Sequence, residues 1–201
     1  MKHSGTQFLL GAICPNTLIS TDYNVTVAGL NLPGSEDNSD NSFDHSNYQV
    51  KQFIEYCEDQ ILENWQNKTY MILVFDIDKF SSINQKYGHS AGDELLHTIM
   101  IKLDAEVHKP NHYCRLFNDN FAVFLENCSE IDIALEIIKF AEEINNKFPL
   151  LQPKLSFGIS RTKGKYVNAP YLCNRAFLAK STIKGKSHLL ANYDEVLTSG
   201  Q

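Results

Sequence analysis

Tyr70-Met71-Ile72-Leu73-Val74-Phe75, running directly into Asp76-Ile77-Asp78, decides the architecture. Six apolar residues in a row, without alternation, mark a strand covered on both faces; a sheet with one wet face alternates apolar with polar residues. Such a strand belongs in the middle of a sheet, so helices must lie above and below it. The two aspartates at its end put acid at the rim of that sheet, where the chain leaves the apolar interior.

Working outward, Val50, Phe53, Ile54, Cys57, Ile61, Leu62 and Trp65 recur at helical spacing and predict an amphipathic helix over 48–66. Leu95, Leu96, Ile99 and Leu103 form one stripe of a helix over 92–107. Tyr113–Phe117 and Phe121–Leu125 flank Asn118-Asp119-Asn120, residues that tolerate turn geometry, and predict a hairpin. A helix follows over 130–147, with Ile131, Ala134, Leu135, Ile138 and Ala141 expected on its inner face. Pro153–Ser160 reads as a strand, 169–182 as a helix and His188–Tyr193 as a last strand. This order predicts an α+β fold, a central and mostly antiparallel five-stranded sheet flanked by helices. The domain spans 48–195. Before it, 1–47 is an extension with two apolar runs, TQFLLGAI and NVTVAGL. Its second part, 31–47, is rich in Asn, Ser and Asp with Pro33 and Gly34, the composition of a disordered linker. Residues 196–201 are a tail.

Composition narrows the function. The chain of 201 residues is 43% hydrophobic and 21% charged, the balance of a globular domain with one sizeable core. Its net charge of -6 lacks the basic field that nucleic acid or an anionic membrane requires. A polyanion that binds here must be small and neutralised by metal ions. Phe8–Cys14 is apolar but too short to span a bilayer, and no membrane insertion is expected. The five cysteines are odd in number and widely spaced, without a C-x-x-C pair, so they point to buried thiols in a reduced cytoplasm.

The chemistry converges on Asp76 and Asp119, one at a strand end and one at the hairpin tip. If the hairpin pairs beside the central strand, the two carboxylates meet at one edge of the sheet. Two carboxylates helped by a backbone carbonyl form a hard-oxygen site of the kind magnesium shares with substrate phosphates. Judged on spacing alone, the two acids read as merely solvated, the usual state of carboxylates at strand ends and hairpin tips.

Phe75 to Leu96, F-D-I-D-K-F-S-S-I-N-Q-K-Y-G-H-S-A-G-D-E-L-L, resembles the first half of the GGDEF domain of diguanylate cyclases in its pattern D-I-D-x-F-x-x-I-N-x-x-Y-G-H-x-x-G-D-x-x-L. Arg115 to Phe121 falls where that family carries R-x-G-G-D/E-E-F. LSFGIS and NRAFLAKSTIKGK are similar in placement to later family segments, so the resemblance covers about 48–195. It implies a nucleotidyl-cyclase, palm-like fold and Mg as cofactor, held by Asp76, the carbonyl of Ile77 and Asp119. It implies GTP as ligand, with Asn84 and Asp93 on guanine, and a phosphate contact from Lys184 or Lys186. Absent the motif, a helix-cap Asn and a first-turn Asp are the better reading of Asn84 and Asp93. His89 is expected to be structural, and Asp78 to support the loop or the metal's outer shell.

The departures from the family pattern bear on activity. Phe117 and Asn118 replace the two signature glycines, whose freedom at positive φ lets the backbone approach a nucleotide. Asn120 replaces the signature glutamate, and an amide cannot accept a proton, so no catalytic residue is expected here. The inhibitory R-x-x-D reads His108-Lys109-Pro110-Asn111. Three readings stay open: a catalytically degenerate, regulatory domain that binds GTP and acts on an EAL phosphodiesterase domain or another signalling protein; an active cyclase working as a homodimer; and a protein-interaction module that takes no nucleotide.

Overall fold

The computed structural model describes residues 26–27, 30–31, 41–162, 166–186 and 189–194. Two short antiparallel strands, β1 (Thr26–Val27) and β2 (Leu30–Asn31), come first. They fall within and just after the NVTVAGL run, while TQFLLGAI lies outside the described residues. Next come helix α1 (Asn41–Asn64), strand β3 (Tyr70–Ile77) and helices α2 (Phe80–Tyr87) and α3 (His89–Glu106). The hairpin β4 (His112–Phe117) and β5 (Asn120–Glu126) leads to α4 (Glu130–Lys147), β6 (Leu155–Arg161), α5 (Ala169–Ile183) and β7 (Leu190–Asn192).

The five-stranded sheet runs β4-β5-β3-β6-β7, with β3 at its centre as the apolar run requires. Every neighbouring pair is antiparallel except β6 with β7, which are parallel. This is the expected α+β fold. Period-two alternation splits each central strand between two cores. Met71, Leu73, Phe75 and Ile77 of β3 join Phe121, Val123 and Leu125 of β5 under α3 and α4. Tyr70, Ile72 and Val74 join Ala122 and Phe124 on the other face, under α1 and α5. By the same parity Asp76 and Asn120 belong to the α5 face, and so does Ser156, which pairs with Asp76 in register.

Three elements depart from the sequence reading. Helix α1 begins at Asn41, so 41–47 is helix and not linker. Once Val50, Phe53, Ile54, Cys57 and Ile61 are buried, extending a formed helix upstream costs far less than starting one. The predicted 92–107 helix starts at His89, and a separate α2 precedes it, broken from α3 by Gly88 at φ 89. Helix α4 buries Ile133, Ile137, Phe140, Ala141 and Ile144, while Ile131 (74% exposed), Leu135 (60%) and Ile138 (45%) face outward. The helix carries two apolar stripes. The buried one runs its whole length, and the exposed one gives out at Glu142.

Two helix starts are capped by side chains: Ser129 Oγ accepts from the Asp132 N–H at 3.1 Å, and Asn168 Oδ1 from the Tyr171 N–H at 2.9 Å. Gly158 of β6 lets α5 lie directly on the sheet. A Cβ there would stand 2.1 Å from the Ala176 carbonyl oxygen and 2.5 Å from the Lys180 nitrogen. Cys57, Cys114 and Cys173 are buried in the α1–α5 core, and burial raises their thiol pKa values, those of Cys114 and Cys173 to about 12. They are inert packing groups, as expected.

Candidate functional site

The site forms where β3, the β4–β5 turn and the end of α5 meet. Asp76, with only 2% of its side chain exposed, is buried although it lies next to the end of β3. Its Oδ2 receives two ammonium groups, Lys180 Nζ at 3.0 Å and Lys184 Nζ at 2.5 Å. Its Oδ1 is buried with no hydrogen-bond partner. Lys180 and Lys184 lie one helical turn apart at the end of α5, so both reach the same oxygen.

Lys180 is the more tightly held of the two. Its side chain is 5% exposed, against 52% for Lys184. It donates to Asn120 Oδ1 at 2.5 Å as well as to Asp76. Its Nζ also sits 4.8 Å from the centre of the Phe177 ring, an attractive cation–π placement. Burial pulls the Lys180 pKa down, and the Asp76 carboxylate opposes that shift. For Lys184 burial acts downward too, but the hydrogen bond and charge of Asp76 prevail and the pKa rises.

The hairpin tip accommodates the substituted residues without strain on the aromatic one. Asn118 takes the positive φ of 49° that the turn demands, a conformation asparagine tolerates. Its carbonyl accepts from Arg115 Nε at 2.7 Å. The β4–β5 register shifts between Arg115 and Phe117. That shift turns Phe117 toward the α5 face, where its ring stacks on Phe177 at 5.9 Å and 10°. Two of the three residues that replace signature positions therefore meet Lys180 from two sides: Asn120 directly, and Phe117 through Phe177.

Asp119 is half-buried, and its Oδ2 accepts from the Ile77 N–H at 3.2 Å. Burial raises its carboxyl pKa, Asp76 adds to the rise, and the N–H groups of Asp119 and Ile77 pull the other way. Asp76, Ile77 and Asp119 are thus brought together, as expected. Asp78 is tied back to β6 by the Ser156 hydroxyl at 2.8 Å.

Asn84 and Asp93 sit apart from this cluster, across the α2–α3 junction. Asn84 lies inside α2 and Asp93 in the second turn of α3, so neither serves as a helix cap or first-turn acid. The Asn84 Oδ1 is buried and unpartnered, packed so closely on Gly92 that a Cβ there would come within 1.9 Å of it. Asp93 and His89 are exposed. Lys186 stands exposed in the turn beyond α5, while Lys184 and Lys180 take the place beside Asp76. Sequence reasoning missed Lys180. Its signal was the four-residue spacing to Lys184, which carries meaning only once α5 is known to cross β6 at Gly158.

Among the described residues no three His, Cys, Asp or Glu side chains converge as a metal cage. Two carboxylates and a carbonyl suit magnesium in the mode where phosphate oxygens complete its shell, and the orphaned Asp76 Oδ1 is a free hard donor for it. The residues present fit the ion in type. Among the described residues no helix is long and apolar enough to cross a membrane.

The family model described as "Diguanylate cyclase, GGDEF domain" matches residues 50–186, and the chain belongs to the GGDEF family. Its fold is similar to the GGDEF domain of DgcB from Caulobacter crescentus, solved in complex with c-di-GMP. The TM-score is 0.61 and identity 17%, over 72% of this chain and 88% of that one. It is also similar to the active GGEEF domain of a diguanylate cyclase from Vibrio cholerae, with TM-score 0.54 and identity 20%, over 73% and 94%. In sequence it is 31% identical to diguanylate cyclase DosC of Shigella sonnei over 87 residues, which is 43% of this chain and 18% of that protein. It is 27% identical to response regulator PleD of Caulobacter vibrioides over 111 residues, 52% and 24% of the two chains. The matches span well under a third of those relatives' lengths.

Proposed function

We propose that this chain is a regulatory GGDEF domain of cyclic di-GMP signalling that binds GTP without cyclising it. One observation carries the reading. Asn120, at the position of the signature acid, is buried and bonded to the Lys180 ammonium. Neither an amide nor an ammonium can take the proton of a nucleotide hydroxyl, and loss of a general base costs roughly 10²–10⁴ in rate.

The elements of recognition support the nucleotide half of the proposal. The buried, unpartnered Asn84 Oδ1 offers an acceptor beside Asp93 at the α2–α3 junction. Lys184, half-exposed at the other side, is free to turn toward phosphate. Magnesium, where it accompanies the nucleotide, would be held by Asp76 Oδ1, Asp119 and the Ile77 carbonyl, and would neutralise phosphate charge. The domain then acts as a GTP-responsive part of a larger assembly, with an EAL phosphodiesterase domain or another signalling protein as its partner in the cytoplasm.

The test is calorimetry with GTP at millimolar concentration, followed by chromatography of a long incubation with Mg²⁺. The expected result is saturable heat and no cyclic di-GMP. Absence of heat removes the nucleotide reading in favour of a pure interaction module. Appearance of the cyclic dinucleotide makes the chain a working cyclase, a reading the free Asp76 Oδ1 supports.

A further inference from the structure

We infer that the outward stripe of α4 is a self-association surface, on which a second copy of this chain docks its own α4 antiparallel about a twofold axis. The inference is independent of the nucleotide reading and concerns the other face of the sheet.

Helix α4 buries Ile133, Ile137, Phe140 and Ile144 against the sheet. At roughly 100° per residue, Ile131, Leu135 and Ile138 fall on the side pointing away from it. They stand open to solvent, with Ile131 74% exposed. Single exposed apolar residues are ordinary on a helix surface, but three in line over two turns form a patch. Their spacing, four residues and then three, is the seam by which one helix receives another.

The flanks of the stripe say what fits it. One flank carries Asp132 and Lys139, both exposed and seven residues apart, so they lie on one line along the helix. In an antiparallel pair the same flank of each helix faces the other. Asp132 then comes opposite the partner's Lys139, and Lys139 opposite the partner's Asp132. A twofold contact must be self-complementary in this way, and an acid and a base placed either side of Leu135 meet that condition twice. Lys139 is held only loosely within its own chain, by Glu136 at 3.9 Å with the lysine 62% exposed, so it is free to reach across. The opposite flank carries Ala134 and Ala141, whose small side chains let the helices approach. Glu142 ends the stripe, and the two copies of it fall at opposite ends of the overlap. Antiparallel alignment also sets each helix dipole favourably against the other.

The contact is small. Three apolar side chains from each copy fall short of the roughly 800 Å² per partner of a standard stable interface, so the pair is weak. The charges at its rim set the register more than the strength. The pairing also fixes where the sites point. Asp76 and Asn120 lie on the α5 face of the sheet, and α4 lies on the other. Both Asp76 carboxylates are then on the outer sides of the pair with the two sheets between them. Nucleotides held there cannot meet each other within this dimer.

Sedimentation equilibrium of the full chain, from about 1 to 500 μM, tests the surface, with half-association expected near 100 μM, roughly the strength of a contact this small. Leu135→Glu, at an exposed position on the axis, is expected to weaken association at least about tenfold and leave no dimer in that range. Lys139→Asp should weaken it about fivefold, and Asp132→Lys/Lys139→Asp should restore it to within about twofold of the parent, because the swap exchanges both charges of each pair. Circular dichroism checks that each variant is folded. A parent that stays monomeric throughout, as when the apolar run TQFLLGAI of the same chain or another protein is the true occupant, overturns the inference. So does a folded Leu135→Glu protein that associates like the parent. A folded double variant no tighter than Lys139→Asp overturns the antiparallel pairing.

Discussion

Asp76 is the residue on which the site turns, and its surroundings predict an asymmetry. Removing one partner from a buried ion pair strands the other charge. Among the described residues, Lys180, 5% exposed, has no second carboxylate within bonding distance, since Asn120 offers only an amide oxygen. Asp76 does have a second cation, Lys184. Asp76→Ala is therefore expected to cost about 3–5 kcal/mol, the range for an uncompensated buried charge. Lys180→Met should cost clearly less, because the carboxylate keeps Lys184 and the methionine stem keeps the contact with Phe177. Urea denaturation of the two variants decides it, and a loss from Lys180→Met equal to that from Asp76→Ala would contradict the account. At this scale the sequence was half legible. An aspartate ending an apolar strand, and another at a hairpin tip, announce themselves. Lys180 does not, because a lysine in a helix reads as solvated surface until the helix is placed.

At the scale of elements, the placement of α5 on β6 is what delivers Lys180, and a single glycine sets it. A Cβ at position 158 would meet backbone atoms of α5, the Ala176 oxygen and the Lys180 nitrogen, rather than a flexible side-chain tip. Backbone cannot step aside cheaply, so Gly158→Ala must lift the helix from the sheet. The expected cost is at the upper end of overpacking, about 3 kcal/mol, measured by thermal or urea unfolding. Loss of GTP binding should accompany it even where the fold persists, since Lys180 and Lys184 ride on the same turn. An unchanged unfolding midpoint would mean that the helix sits farther out than described. The elements themselves were largely readable from hydrophobic period. The exception is α4, whose two stripes both have helical spacing. Periodicity tells that one of them faces inward. Only the fit of the long Phe140 and Ile144 side chains against the sheet, with Phe140 edge-on to Phe75 at 5.8 Å, selects which. The boundary of α1 was missed for a different reason: composition describes what isolated Asn and Ser prefer, and an anchored helix overrides that preference.

The molecule as a whole is a three-layer body in which one sheet separates two apolar cores. The described core side chains run from Val50 to Ala191, with α1 and α5 closing one face and α3 and α4 the other. All the site residues named here lie between Asp76 and Lys186. A chain that starts at Asn41 thus retains both cores and the complete α1 helix, giving up β1 and β2, a separate two-stranded sheet whose β1 lies against α5. Its unfolding should remain one cooperative transition, with a stability loss of about 1–3 kcal/mol for the contact of β1 with α5. The urea m-value should be slightly smaller than that of the full chain, since it follows the surface exposed on unfolding. GTP titration should give the same affinity in both. A shortened chain that unfolds in two steps, or that loses nucleotide binding while its circular dichroism is intact, would make the first forty residues part of the domain's architecture rather than an addition to it.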